Sequence, residues 1–174
     1  FRPDQLAVVP HDCYGGTYRL FNALRERGSL DVEFVDFQDA SALAQALGRR
    51  PALLWIETPS NPLLRIVDIA AVAREARAAG ALVVADNTFL SPVWQRPLGL
   101  GADVVIHSTT KYLNGHSDVV GGAVIAADRP LQLIRRYKNE KLPSIAVTVD
   151  LLTTGIDVPP IENPVFLRRV RSRI

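Results

Sequence analysis

The stretch DIAAVAREARAAGALVVADNT, running from Asp68 to Thr88, decides the fold. Asp68 suits a helix N-cap, and Ile69, Val72 and Ala76 recur at the spacing of one helical face. Gly80 is the natural stop. Leu82–Ala85 follows at once as a short unbroken apolar run, the pattern of a strand buried on both sides. A helix joined so tightly to a buried strand predicts a parallel sheet with helical crossovers.

The same unit repeats on either side of this stretch. Gln5–Val9 reads as a strand closed by Pro10. After a turn at residues 14–16, Thr17 is the expected cap of a helix to about Arg27, with Leu20, Phe21 and Leu24 on its buried face and Gly28 as its stop. Val32–Val35 is the next strand. Asp39 caps a helix ending at Gly48, with Leu43 and Leu47 as its apolar stripe. Ala52–Ile56, Val104–His107 and Gly122–Ala126 are further strands. The fold expected is α/β: a mainly parallel sheet with helices on both faces, in three layers, joined by right-handed crossovers.

Composition bounds the rest. The chain has 174 residues, 48% of them hydrophobic, and a net charge of +2, which describes a globular protein rather than a disordered one. No apolar run approaches the roughly 20 residues of a membrane helix. A single cysteine, Cys13, leaves no intramolecular disulfide and fits a reducing, cytoplasmic setting. No Cys/His cluster points to zinc. The chain opens on Phe1 and holds no methionine, which suggests a piece of a longer or processed chain. Charge divides unevenly: residues 1–127 carry a net −2 and residues 128–174 a net +4.

Chemistry concentrates where Val104–His107 runs into Ser108, Thr109, Thr110 and Lys111. Residues 1–127 hold ten arginines but one lysine, Lys111. A lone amine at a strand end, beside three hydroxyls, suits a Schiff base with an aldehyde while the hydroxyls hold an anion. An ordinary surface lysine is the plain alternative. Asp86 ends the preceding strand, and ligands of open parallel sheets sit beyond the strands' carboxyl ends. Asp86 and Lys111 are thus expected to face one crevice from neighbouring strands. A carboxylate there can keep a pyridinium nitrogen protonated, though an aspartate capping the next turn has the same sequence.

Four motifs carry a resemblance: residues 11–21 (HDCYGGTYRLF), 57–62 (ETPSNP), 84–88 (VADNT) and 108–118 (STTKYLNGHSD). In this order and spacing, residues 5–125 resemble the large domain of the pyridoxal-phosphate enzymes of cysteine and methionine metabolism, the family of cystathionine γ-synthase and the cystathionine lyases. The resemblance implies a fold-type-I core with pyridoxal 5'-phosphate as cofactor and a small sulfur-containing amino acid as substrate. It implies that Lys111 bonds the cofactor and moves the proton at the substrate's α-carbon. Tyr14 would stack on the ring, Asp86 pair with its nitrogen, Asn61 bond its phenolic oxygen, and Ser108 and Thr110 hold the phosphate as alternate residues of a strand end. Without the resemblance, Tyr14 also reads as a turn tyrosine packed on the sheet end. Glu57 is expected to orient a loop, His107 and His116 to be structural, and Cys13 to be unreactive.

The family's glycine-rich phosphate turn, a neighbouring subunit's tyrosine and arginine, and a carboxylate-gripping arginine have no match here, so the resemblance implies weak cofactor binding and little turnover. Residues 129–174 resemble instead the second motor domain of superfamily-two helicases, as in restriction-enzyme motor subunits. This suggests a chimera of a 1–127 core and a 128–174 segment, joined near 127–130, as two domains or as one folded unit. Within that segment, residues 130–138 read as a helix and 145–150 and 165–170 as strands. No phosphate loop occurs, which argues against ATP-driven movement. The basic tail (Arg168, Arg169, Arg171, Arg173) reads as a solvated end rather than a nucleic-acid surface. Three readings result: a transsulfuration-type cofactor-binding core, a catalytically inactive chimeric α/β protein, and a nonspecific nucleic-acid binder. Self-association is expected through surface such as the 94–100 loop.

Overall fold

The computed structural model describes residues 1–116 and 118–126. The expected helicase-like segment and the 127–130 junction lie outside the described residues.

Six strands form one sheet: β1 (Leu6–Pro10), β2 (Asp31–Val35), β3 (Leu53–Glu57), β4 (Leu82–Asp86), β5 (Val104–Ser108) and β6 (Gly122–Ala126). Their order is β2-β1-β3-β4-β5-β6. The first five strands are mutually parallel, and β6 runs antiparallel to β5. Helices α1 (Gly15–Glu26), α2 (Ala40–Gly48) and α3 (Ile69–Ala78) make the crossovers. A short α4 (Ser91–Trp94) and a 3-10 turn (Pro97–Leu100) link β4 to β5, over the region read from sequence as the 94–100 loop.

Strand alternation sorts the core into two halves. Val8, Leu54, Ile56, Val83, Ala85 and Val105 pack with α2 and α3. Ala7, Val9, Leu53, Trp55, Val84 and Val104 pack with Phe21 of α1. Helices therefore cover both faces, as the apolar strand runs predict.

The helix ends follow local chemistry. Asp39 Oδ1 accepts from the N–H groups of Ser41 and Ala42, and Asp68 Oδ1 accepts from Ala71 N–H. The Ser41 hydroxyl, then those backbone donors, hold Asp39 below the usual carboxylate range. Gly28 and Gly80 adopt left-handed φ values of 64° and 88° just past α1 and α3. Two expectations fail. Thr17 lies buried inside α1, whose N-cap position is Tyr14, with no capping side chain of its own segment. Leu20 is also turned outward, leaving Phe21 as the fully buried anchor.

Candidate active site

A cleft opens at the carboxyl ends of the four central parallel strands. Tyr14, Glu57, Asn61, Asp86, Ser108 and Lys111 line it, with Pro59, Thr88 and Phe89. The alternation that builds the core explains the convergence. Glu57, Asp86 and Ser108 each stand two residues beyond a side chain packed on the α1 side: Trp55, Val84 and Ile106. Glu57 is the register partner of Asp86, and Asp86 of Ile106, so Glu57 and Asp86 arrive at one level and Ser108 stands two residues beyond it on the same face. Lys111 follows in the turn after β5, exposed, with its N–H bonded to Ser108 O at 3.1 Å.

A larger depression, of about 330 Å³ against about 100 Å³ for the cleft, lies at the opposite end of the strands. It is lined by Arg2, Asp4, Asp31, Arg49 and Arg50 among others. Its Arg49 is already paired with Asp31 at 3.2 Å and Glu33 at 2.6 Å. Size does not decide the site here. The smaller cleft holds the amine, carboxylates and hydroxyl that chemistry needs, at the sheet end where ligands bind.

Hydrogen bonds fix the cleft's walls. Thr88 donates its hydroxyl to Asp86 Oδ1 at 2.6 Å and accepts from Ser108 N–H at 2.9 Å, joining the β4 and β5 ends through one oxygen. Glu57 Oε1 accepts from Tyr14 N–H and Asn61 N–H, both at 3.0 Å, and Oε2 accepts from Tyr14 N–H at 2.9 Å. Burial pushes the Glu57 carboxyl up to about 7; the Tyr14 N–H pulls it back, and the Asp86 charge raises it further. The expected loop-orienting role of Glu57 fits these bonds. Gly16 lies under Tyr14: a Cβ there would meet the ring at 2.5 Å, so only glycine lets the ring fold over the helix start.

Five of the six residues proposed from sequence thus line one cleft: Tyr14, Asn61, Asp86, Ser108 and Lys111. Thr110 does not. Strand β5 ends at Ser108, so the alternation argument stops there, and Thr110 lies in the turn. Its hydroxyl accepts from Gly121 N–H at 2.9 Å and donates to Gly121 O at 3.2 Å. His107 is buried on the face opposite the cleft, beside Val105, and burial holds its imidazole below the usual value. Cys13 is buried too, and burial, with the Glu57 charge, pushes its thiol up to about 12, consistent with an unreactive sulfur.

The model of the Cys/Met metabolism PLP-dependent enzyme family matches residues 2–159. The chain belongs to this family. The match crosses the expected 127–130 junction. Cystathionine gamma-synthase of Escherichia coli (strain K12) is 61% identical over 127 residues, covering 73% of this chain and 33% of that protein. Cystathionine beta-lyase of Coxiella burnetii is 46% identical over 151 residues, covering 86% of this chain and 39% of that protein. The crystal structure of cystathionine gamma synthase from Xanthomonas oryzae pv. oryzae in complex with aminoacrylate and cysteine aligns with a TM-score of 0.74 at 57% identity, covering 76% of this chain and 34% of that one. The chain thus spans between a third and two-fifths of the length of these relatives.

The cofactor of this PLP-dependent family is pyridoxal 5'-phosphate. The residues present fit it: an amine, a carboxylate, an aromatic ring, an amide and a hydroxyl share one cleft. No helix among the described residues is long and apolar enough to cross a membrane.

Proposed function

We propose that this chain is the cofactor-bearing core of a transsulfuration-type enzyme acting by elimination or replacement at Cβ or Cγ of a cystathionine-like sulfur amino acid. The observation that carries the reading is the convergence of Lys111, Asp86, Tyr14, Asn61 and Ser108 on one cleft at the carboxyl ends of the strands. The names of the relatives support the substrate class.

Bound pyridoxal phosphate supplies an electron sink for charge developing at the α-carbon of an amino acid. The protein's side chains do the rest. Asp86 holds the proton at the pyridine nitrogen, and Thr88 holds Asp86. Asn61 donates to the phenolic oxygen, Ser108 donates to the phosphate, and Tyr14 covers the ring face. Lys111 anchors the cofactor and takes or returns the proton at the α-carbon. Thr110, whose hydroxyl also meets Gly121 in the turn that presents Lys111, joins Ser108 at the phosphate.

The same proposal includes self-association: Val93 and Trp94, 75% and 83% exposed, sit just after the cleft residue Phe89 and offer apolar surface to a second copy. Light scattering should return a mass above one chain, and a monomer would contradict it. The helicase-like origin of residues 129–174 rests on sequence resemblance alone, and the family match through residue 159 weighs against it.

Titration with pyridoxal 5'-phosphate tests the reading. A long-wavelength absorbance band that Lys111→Ala abolishes is the expected result. Its absence in a folded sample would favour a catalytically inactive α/β protein. Salt-sensitive DNA binding would favour the nucleic-acid alternative.

A further inference from the structure

We infer that Glu57 is a positioning residue of the cleft, whose single carboxylate ties the segment carrying Tyr14 to the loop carrying Asn61 and so sets the gap between those two side chains. The inference rests on the proposed function, which gives Tyr14 the cofactor's ring face and Asn61 its phenolic oxygen.

The geometry is that of a clamp. Glu57 closes β3, is 5% exposed, and reaches the N–H of Tyr14, 43 residues earlier in sequence, with both oxygens. The same Oε1 accepts the N–H of Asn61, four residues on. Strands β1 and β3 are neighbours, so the segments following them meet at this carboxylate.

Chemistry selects an acid here. Helix α1 starts at Tyr14 with no side-chain cap and no acidic residue in its first turn. Once ionised, above about pH 7, the carboxylate is an acceptor-only group that suits the converging N–H donors and the helix's positive end. A glutamine of the same shape would turn an NH₂ toward one of those donors. Asp86 on β4, Asp12 after β1 and Lys111 after β5 are the charged groups nearest in the fold, and Lys111 and Asp86 share the cleft lining with Glu57.

A second tie joins the same two segments away from the cleft lining: the Ser60 hydroxyl donates to Asp12 Oδ2 at 2.6 Å. Arg65 adds a 4.0 Å approach to Asp12 and a 3.1 Å ion pair with Asp36. Loss of the Glu57 clamp therefore leaves the segments tethered but free to shift at the cleft. A purely structural cap would alter stability while leaving the cofactor's grip unchanged.

The test uses the full chain as wild type, Glu57→Gln and the shorter Glu57→Asp. Amide exchange at Tyr14 and Asn61 reads the clamp directly, and the dissociation constant of pyridoxal 5'-phosphate reads its consequence. Both variants should keep the wild-type circular dichroism. The two amides should exchange faster than wild type while those of β1 and β4 do not, and the cofactor should bind about tenfold more weakly. Unchanged exchange at both amides would overturn the clamp. Faster exchange with unchanged affinity would reduce it to a cap and overturn the positioning role. A wild-type chain that binds no cofactor would overturn the functional reading, and the role with it; a normal wild-type titration with unaltered variant affinities would overturn the positioning role alone.

Discussion

Glu57 and Asp86 are register partners at the last rung of the β3–β4 ladder, and both side chains line the cleft. Two carboxylates set side by side at a sheet end divide the work between them. Asp86 is held by the Thr88 hydroxyl, whereas Glu57 is turned to backbone donors and buried.

The Glu57 carboxyl gives the first prediction. Its folded pKa, about 7, lies above the ordinary 4.5 because burial disfavours the charge. Between these values the folded chain holds a proton that the unfolded chain has lost, so stability is full below about 4.5 and falls as pH rises to about 7. The full loss is about 3 kcal/mol. Chemical denaturation across this window should show the decline in the wild type and a flatter profile in Glu57→Gln. Parallel profiles would contradict the assignment.

Thr88 gives the second. Thr88→Val keeps the shape but removes the oxygen between Asp86 and the Ser108 N–H. Cofactor affinity should fall about tenfold, the cost of losing hydrogen bonds to a charged group and leaving an amide unmet. Thr88→Ser should recover most of it. Equal affinities in both variants would show that the bridge does not hold Asp86.

Gly16 gives the third, and separates stability from binding. Gly16→Ala adds a methyl where the Tyr14 ring lies, so the ring must swing away. Inside a helix, alanine is favoured over glycine by about 0.5–1 kcal/mol. Thermal stability should therefore hold or rise, while cofactor affinity falls by up to about tenfold as the stacking contact is lost. Unchanged affinity would mean that Tyr14 does not cover the ring.

Much of this was legible locally. Ile69, Val72 and Ala76 repeat with helical period, and Asp39 and Asp68 cap helices as their positions suggest. Asp86 ends β4 and Lys111 follows the end of the adjacent β5, and their motifs place them in one cleft. What escaped depends on distance or on a strand's exact end. Thr17 satisfies the local rule for a cap, but the acceptor at the start of α1 is Glu57, 43 residues away in sequence, and no periodicity encodes that. The alternation that pairs Thr110 with Ser108 stops where β5 ends, so Thr110's place at the phosphate rests on the motif and not on strand geometry. The antiparallel course of β6 follows from the turn at residues 109–115, which the apolar pattern of Gly122–Ala126 does not reveal.

The central claim is that Lys111 is the residue that bonds the cofactor. Incubation with pyridoxal 5'-phosphate, borohydride reduction and peptide mass mapping test it most directly. The account predicts one pyridoxyl group, carried by Lys111, in good yield at low cofactor excess and lost in Lys111→Ala. Labelling spread over Lys138, Lys141 and the N-terminus, or unchanged in that variant, would contradict it.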